Sequence, residues 1–172
     1  MADWRIRSAG AQDSDRLALV GAATFLETFA GILDGAAIVA HCAREHVPAA
    51  YEAYLGNGAV AWLGETETGT GPVGYALVAA ATLPGAEPGD LELKRIYVLS
   101  RFHGSGLGRA LMDVAIGHAR RAGAPRLLLG VYKDNERALA FYARNGFVRA
   151  GERLFQVGDR HYEDLVLARP LG

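Results

Sequence analysis

Leu91-Glu92-Leu93-Lys94-Arg95-Ile96-Tyr97-Val98-Leu99-Ser100-Arg101-Phe102-His103-Gly104-Ser105-Gly106-Leu107-Gly108-Arg109 is the stretch whose reading decides the fold. Leu91 to Leu99 alternates in the manner of a strand. It runs straight into glycines at 104, 106 and 108, after which Leu107, Leu111, Val114 and Ala115 mark an amphipathic helix. The unit is strand, glycine-rich turn, helix. Glycines at alternate positions let backbone approach a ligand closely, and the helix behind them offers unpaired amides and the positive end of its dipole. That combination makes a seat for pyrophosphate, flanked by Arg101 and Arg109, whose guanidinium groups suit phosphate oxygens. The spacing excludes two other phosphate loops. A dinucleotide fingerprint needs glycine where Arg109 stands, and a Walker A loop needs a Gly-Lys-Ser/Thr run that the chain lacks. Taken alone, the triplet also fits a tight turn with no ligand.

Downstream, Leu127 to Tyr132 is a short apolar run typical of a buried strand. Asn135 to Asn145 then reads as a compact helix closed by Gly146. Asn135 and Tyr142 lie close to two helical turns apart and share a face, with small Ala138 between them leaving a groove. Asn135 equally suits a helix cap and Tyr142 a core aromatic. Phe147-Val148 and Tyr162 to Leu167 supply the last strands.

Upstream, Trp4 and Ile6 alternate with Arg5 and Arg7 in a short first strand that ends at the Ser8 to Gly10 turn. Leu17, Val20, Thr24 and Phe25 recur at helical spacing between Asp13 and Phe29, with Asp13 or Ser14 as cap. Residues 36–55 hold two short helices, the second opening on Pro48. Val60 to Glu65 and Val73 to Ala80 form a hairpin around Thr66-Glu67-Thr68-Gly69-Thr70-Gly71, and a loop follows from Leu83 to Asp90. The order predicts an α/β or α+β fold in which one sheet mixes antiparallel hairpins with a parallel crossover.

Bulk properties narrow the function. The chain has 172 residues, 51% of them hydrophobic and 22% charged, a globular balance within the range of one domain. A formal net charge of -1 provides no broad basic field to hold a phosphate backbone, so nucleic acid is not expected as a partner. Cys42 is the only cysteine, which rules out an internal disulfide and favours a reducing cytoplasm. The N-terminus lacks the apolar run of a signal peptide, and no segment approaches the roughly 20 apolar residues of a membrane span. His41, His46, His118 and His161 show no metal-ligand spacing, so no metal is expected; His41 and His46 read as helix-surface residues. Cys42 reads as an inert thiol, and Trp4 and Trp62 as packing residues.

Residues 91–147 resemble the acetyl-CoA core of the GNAT superfamily of N-acetyltransferases. Arg101-Phe102-His103-Gly104-Ser105-Gly106 is similar to its Arg/Gln-x-x-Gly-x-Gly/Ala loop, and Asn135 to Phe147 resembles its late helix and strand. The resemblance implies a single domain over 1–172 with about seven strands flanked by helices, its central sheet splayed open between the fourth and fifth. It implies that pantetheine lies against the backbone of Ile96, Tyr97 and Val98. The loop from Arg101 through His103, Gly104, Ser105, Gly106, Leu107 and Gly108 to Arg109 would hold the diphosphate, Asn135 would contact the cofactor, and Tyr142 would face the sulfur as general acid. Two residues depart from the pattern: His103 stands where glutamine is common, and Ser100 where proline often starts the loop.

A looser resemblance, to PaiA-type bacterial polyamine acetyltransferases, rests on Glu92 to Tyr97, Leu129 to Tyr132, Phe155 to Asp159 and the Thr24 to Phe29 helix. It implies a primary amine acceptor, with a polyamine as one candidate, lined by Glu27, Phe29 and Glu92. Glu27, Asp34, Asp159, Glu163 and Asp164 could gather at its mouth. Glu92 is the candidate base, with an ordinary strand glutamate as the alternative, and the amides near Ile96 to Val98 could polarise the thioester carbonyl. A CoA-binding sensor without catalysis and a protein or peptide N-acetyltransferase are the other functional readings. The late hairpin edge could pair with a second copy.

Overall fold

The structure is a computed structural model and describes residues 3–172. Its elements run β1 (Trp4–Ala9), α1 (Ser14–Phe29), α2 (Gly35–Glu45), α3 (Pro48–Gly56), β2 (Val60–Thr66), β3 (Pro72–Ala80), β4 (Leu91–Val98), α4 (Leu107–Arg121), β5 (Arg126–Tyr132), α5 (Glu136–Arg144), β6 (Val148–Val157) and β7 (Arg160–Pro170). The strands form one seven-stranded sheet in the order β1-β2-β3-β4-β5-β7-β6. Only β4 and β5 run parallel; every other neighbouring pair is antiparallel.

Period-two alternation divides the core. On β3, Ala76 and Val78 meet Leu107, Leu111, Met112 and Ala115 of α4 on one face, where α5 also packs. Tyr75 and Leu77 face the other way, onto Leu17 and Val20 of α1 and Tyr51 of α3. A third cluster joins Phe25 and Phe29 of α1 to Ile38 of α2 and Val157 of β6, so the end of α1 and the late hairpin share one wall.

Two expectations from the sequence need correction. β1 continues to Ala9 because it pairs with β2 through Ala9 and Ala61. β6 runs ten residues to Val157, far beyond Phe147-Val148. Its residues lie mostly exposed in the outermost strand, so their polarity hides a strand that backbone pairing with β7 defines.

The glycine turn gets its shape from backbone geometry. Gly104 and Gly106 sit at φ of 80° and 90°, the left-handed region that a Cβ disfavours, and Gly106 caps the start of α4. Leu107, the first residue of α4, is fully buried. It plugs a hollow made where Gly64 and Gly74 face each other across β2 and β3. A Cβ at Gly74 would meet the Tyr97 carbonyl oxygen at 3.1 Å and the Leu107 side chain at 3.2 Å. Gly74→Ala therefore overpacks the seat of α4 and should cost about 1–3 kcal/mol of stability. Urea unfolding measures this, and an unchanged midpoint would show that the hollow relaxes freely.

Candidate functional site

β4 and β5 begin side by side and then part. Among the described residues they pair only at Leu91 with Leu127 and Glu92 with Leu128. Beyond Glu92, β4 keeps β3 as a partner on one side and presents a bare backbone edge on the other. A register shift between Leu77 and Val78 leaves Lys94 without a partner in the β3 ladder, a bulge that re-aims the side chains beside it. The wedge opens into a cleft of about 900 Å³.

The cofactor half of the cleft is lined by β4, the glycine turn and α5. Ile96, Tyr97, Val98, His103, Gly104, Gly106, Gly108, Arg109, Asn135 and Tyr142 all reach it. Two remote contacts and one local contact hold the turn. Glu27 accepts from the Ser100 amide at 2.9 Å and the Ser100 hydroxyl at 2.6 Å. Those bonds keep the Glu27 carboxyl below the usual carboxylate range. Trp4 Nε1 donates to the Ser105 carbonyl at 3.2 Å, and His103 Nε2 lies 2.8 Å from the Val98 carbonyl. Positive charge on this side comes from Arg109, Arg137 and Arg144, with Arg109 paired to Asp113 one helical turn away.

Three residues read as cofactor contacts point elsewhere. Arg101 borders a separate depression with Asp3, Thr66 and Thr68. The Leu107 side chain is core, and its amide lies 3.4 Å from the Ser105 hydroxyl. Ser105 does not line the cleft. Asn135 caps α5 by accepting from the Ala138 amide at 3.2 Å while still bordering the cleft.

Tyr142 packs against Phe147 and Phe141, and its hydroxyl has no protein partner among the described residues. Burial, with the nearby Tyr97 phenol, pushes the Tyr142 phenol well above its ordinary range, so it stays protonated at neutral pH. Glu92 stands at the vertex of the wedge, 3% exposed. Its Oε2 accepts from the Thr82 amide at 2.9 Å and meets Lys94 Nζ at 3.2 Å, while Oε1 has no partner among the described residues.

The far half of the cleft collects aromatic and cationic groups; Phe29 is expected there as an acceptor contact, whereas Arg44 and Arg153 are not. Phe25, Phe29, Phe155 and Tyr162 form an apolar wall, with Arg44, Lys94, Arg95 and Arg153 among them. Of the carboxylates expected at this mouth, only Glu27 and Asp164 border the cleft. Asp34 caps α2, and Glu163 pairs with Lys133. Asp164 binds Arg153 at 3.1 Å, yet burial outweighs that pairing and raises its carboxyl above the usual range.

His41 and His46 also differ from expectation: both are buried, because α2 turns that face toward Phe25 and Phe155. His46 Nδ1 lies 2.8 Å from the Tyr51 hydroxyl, which donates to Tyr75 at 3.2 Å. No helix among the described residues is long and apolar enough to cross a membrane.

A parted parallel strand pair, a glycine turn that opens a helix, and a phenol facing the gap define a class. The chain belongs to the Acetyltransferase (GNAT) family, which residues 26–147 match. It is 40% identical over 95 residues to an uncharacterised N-acetyltransferase of Mycobacterium tuberculosis, covering 55% of this chain and 61% of that relative. It is also 42% identical over 69 residues to a mycothiol acetyltransferase of Geodermatophilus obscurus, covering 38% of this chain and 22% of the relative. In fold it resembles the PaiA N-acetyltransferase of Thermoplasma acidophilum in complex with coenzyme A, with a TM-score of 0.79 at 17% identity over 98% of this chain and 99% of that one.

Burial drives the pKa of His41 to about 4 and that of His46 to about 3. Unfolded, each titrates near 6.5. A depressed folded value means that this stability is complete above pH 6.5 and is lost as pH falls through the folded values. The urea midpoint should therefore drop between pH 7.5 and 5, before most carboxylates titrate, and His46→Gln should flatten that drop. An equally steep drop in the variant would remove His46 from the cause.

Proposed function

We propose that this chain transfers an acetyl group from acetyl-CoA to a primary amine by direct attack on the thioester. The observation that carries the reading is the bare β4 edge opposite an unpartnered Tyr142 hydroxyl. Pantetheine is a chain of amides, the chemistry an unpaired strand edge accepts. The amides of Gly106, Gly108 and the first turn of α4, with Arg109 nearby, would take the diphosphate. This seat rests on backbone geometry, so it does not require Arg101.

An alkyl amine with a pKa near 10.4 is almost wholly protonated at pH 7, a barrier of about 4.6 kcal/mol. Glu92 is the proposed base. Its Oε2 is fixed by Thr82 and Lys94, which leaves Oε1 to take the amine proton, directly or through a water, in the cleft that Glu92 lines. As the tetrahedral species collapses, the C–S bond breaks and the thiolate takes the Tyr142 proton. Burial that raises the phenol pKa raises that of a desolvated thiolate too, so the two stay matched.

The acceptor is proposed to be a small amine. A polyamine draws little support from the acceptor wall, where Arg44, Lys94, Arg95 and Arg153 stand against Glu45, Glu92 and Asp164. Every one of those carboxylates is already paired with a cation.

Thiol release on an amine panel tests the activity. Tyr142→Phe should lower kcat by roughly one to three decades while the acetyl-CoA Kd stays within about threefold. An unchanged kcat would remove Tyr142 from the proton-donor role.

A further inference from the structure

Arg95 is the most buried of the four cations in the acceptor wall. Its side chain is only 12% exposed, and its one ion pair among the described residues, with Glu45, is 3.5 Å long. Glu45 is shared, because its other oxygen binds Arg44 at 2.9 Å. The other Arg95 contacts are the Glu45 carbonyl at 3.5 Å, the Tyr51 hydroxyl, and the faces of Tyr51 and Tyr54, each 5.3 Å from the guanidinium carbon. Aromatic faces steady a cation without taking up its N–H donors, and the long bonds to Glu45 with the one to Tyr51 do not use all five. A buried guanidinium held this loosely is costly unless an anion completes it.

Arg153 approaches from the opposite arm of the wedge. It lies across β5 at Gly130, where a Cβ would come within 2.7 Å of its Nη2. Both of its bonds to Asp164 fall on Oδ2, from Nε at 3.3 Å and Nη2 at 3.1 Å, leaving Nη1 without a partner among the described residues. Tyr97, two residues beyond Arg95 on the same β4 arm, lies within electrostatic reach of Arg95, Asp164 and Arg153. Phe25, Phe29, Phe155 and Tyr162 supply the apolar ground around them.

Building on the acetyltransferase reading, we propose that the acceptor is a primary amine that also carries a carboxylate on an apolar body, the carboxylate docking on Arg95 with Arg153 facing it across the wedge. Fork geometry suits a carboxylate taken by two parallel N–H donors. The amine of the same molecule is thereby turned toward the vertex, where Glu92 stands.

The test is thiol release with phenylalanine and leucine, each beside its carboxamide, its decarboxylated amine and its aminophosphonate. Wild-type protein should favour the carboxylate in kcat/KM by about tenfold or more. Arg95→Gln should raise KM for the carboxylate by at least that factor and leave the carboxamide within about threefold, and Arg95→Lys should recover part of the loss. Equal use of carboxamide and carboxylate, better use of the phosphonate, or an equal effect of Arg95→Gln on all four overturns the assignment. If Arg95→Gln does not fold, the wild-type ratio and Arg95→Lys decide. If acetyl-CoA binds by calorimetry yet no amine releases thiol, the catalytic reading fails by itself. The carboxylate site is then judged by titrating N-acetylphenylalanine against its amide into the CoA-bound protein: tighter binding of the acid supports it, and equal binding overturns it.

Discussion

Everything in this molecule follows from two strands that stop pairing. Among the described residues β4 and β5 share no further ladder after Glu92 and Leu128, although each stays paired on its outer side, β4 with β3 except at the Lys94 bulge and β5 with β7. A bare backbone edge in the middle of a sheet is costly unless polar groups or water meet it. α4 and α5 press on one side, and α1 with the late hairpin on the other. Leu107, seated over Gly64 and Gly74, sets where α4 begins and hence where the turn before it points.

The turn has little packing of its own, since Gly104, Gly106 and His103 are exposed. Contacts distant in sequence compensate. Trp4 from the first strand holds Ser105, and Glu27 from the end of α1 holds Ser100. The His103 bond to Val98 joins the turn to the last residue of β4. The same α1 that anchors the loop also presents Phe25 and Phe29 to the acceptor wall, so one helix links the two halves of the cleft. A shift of α1 would alter cofactor loop and acceptor wall together.

Local chemistry made much of this legible. The alternate glycines, Pro48 at a helix start, the Asn135 cap, the hairpin loop between β2 and β3 and the alternation of β4 are short-range signals, and each element lies where its residues suggest. What could not be read depends on contacts between distant segments. Arg101 and Arg109 look alike in sequence, yet the short turn at Ser100–Phe102 sends Arg101 toward Thr66 and Thr68. His41 and His46 look like surface residues until Phe25 and Phe155 close over them. Arg95 sits in an alternating strand like any exposed arginine, and only the packing of α3 places Tyr51 and Tyr54 against it. Carboxylate positions carry no periodic signal, which is why the acidic mouth inferred from Asp34, Asp159 and Glu163 dissolves into a cap and surface groups.

The cationic wall also bears on how an amine becomes a nucleophile. An ammonium entering beside Arg95, Arg153 and Lys94 meets like charge in a poorly solvated space, and both effects favour its neutral form. Part of the about 4.6 kcal/mol needed to deprotonate an alkyl amine at pH 7 is thus supplied before any base acts. A purely cationic substrate would suffer the same repulsion as lost binding. A zwitterion escapes that conflict, because its anionic end gains from the arginines what its ammonium loses, and the attraction persists after the proton has gone. In this wall, anchoring the substrate and releasing its lone pair are two results of one charge distribution.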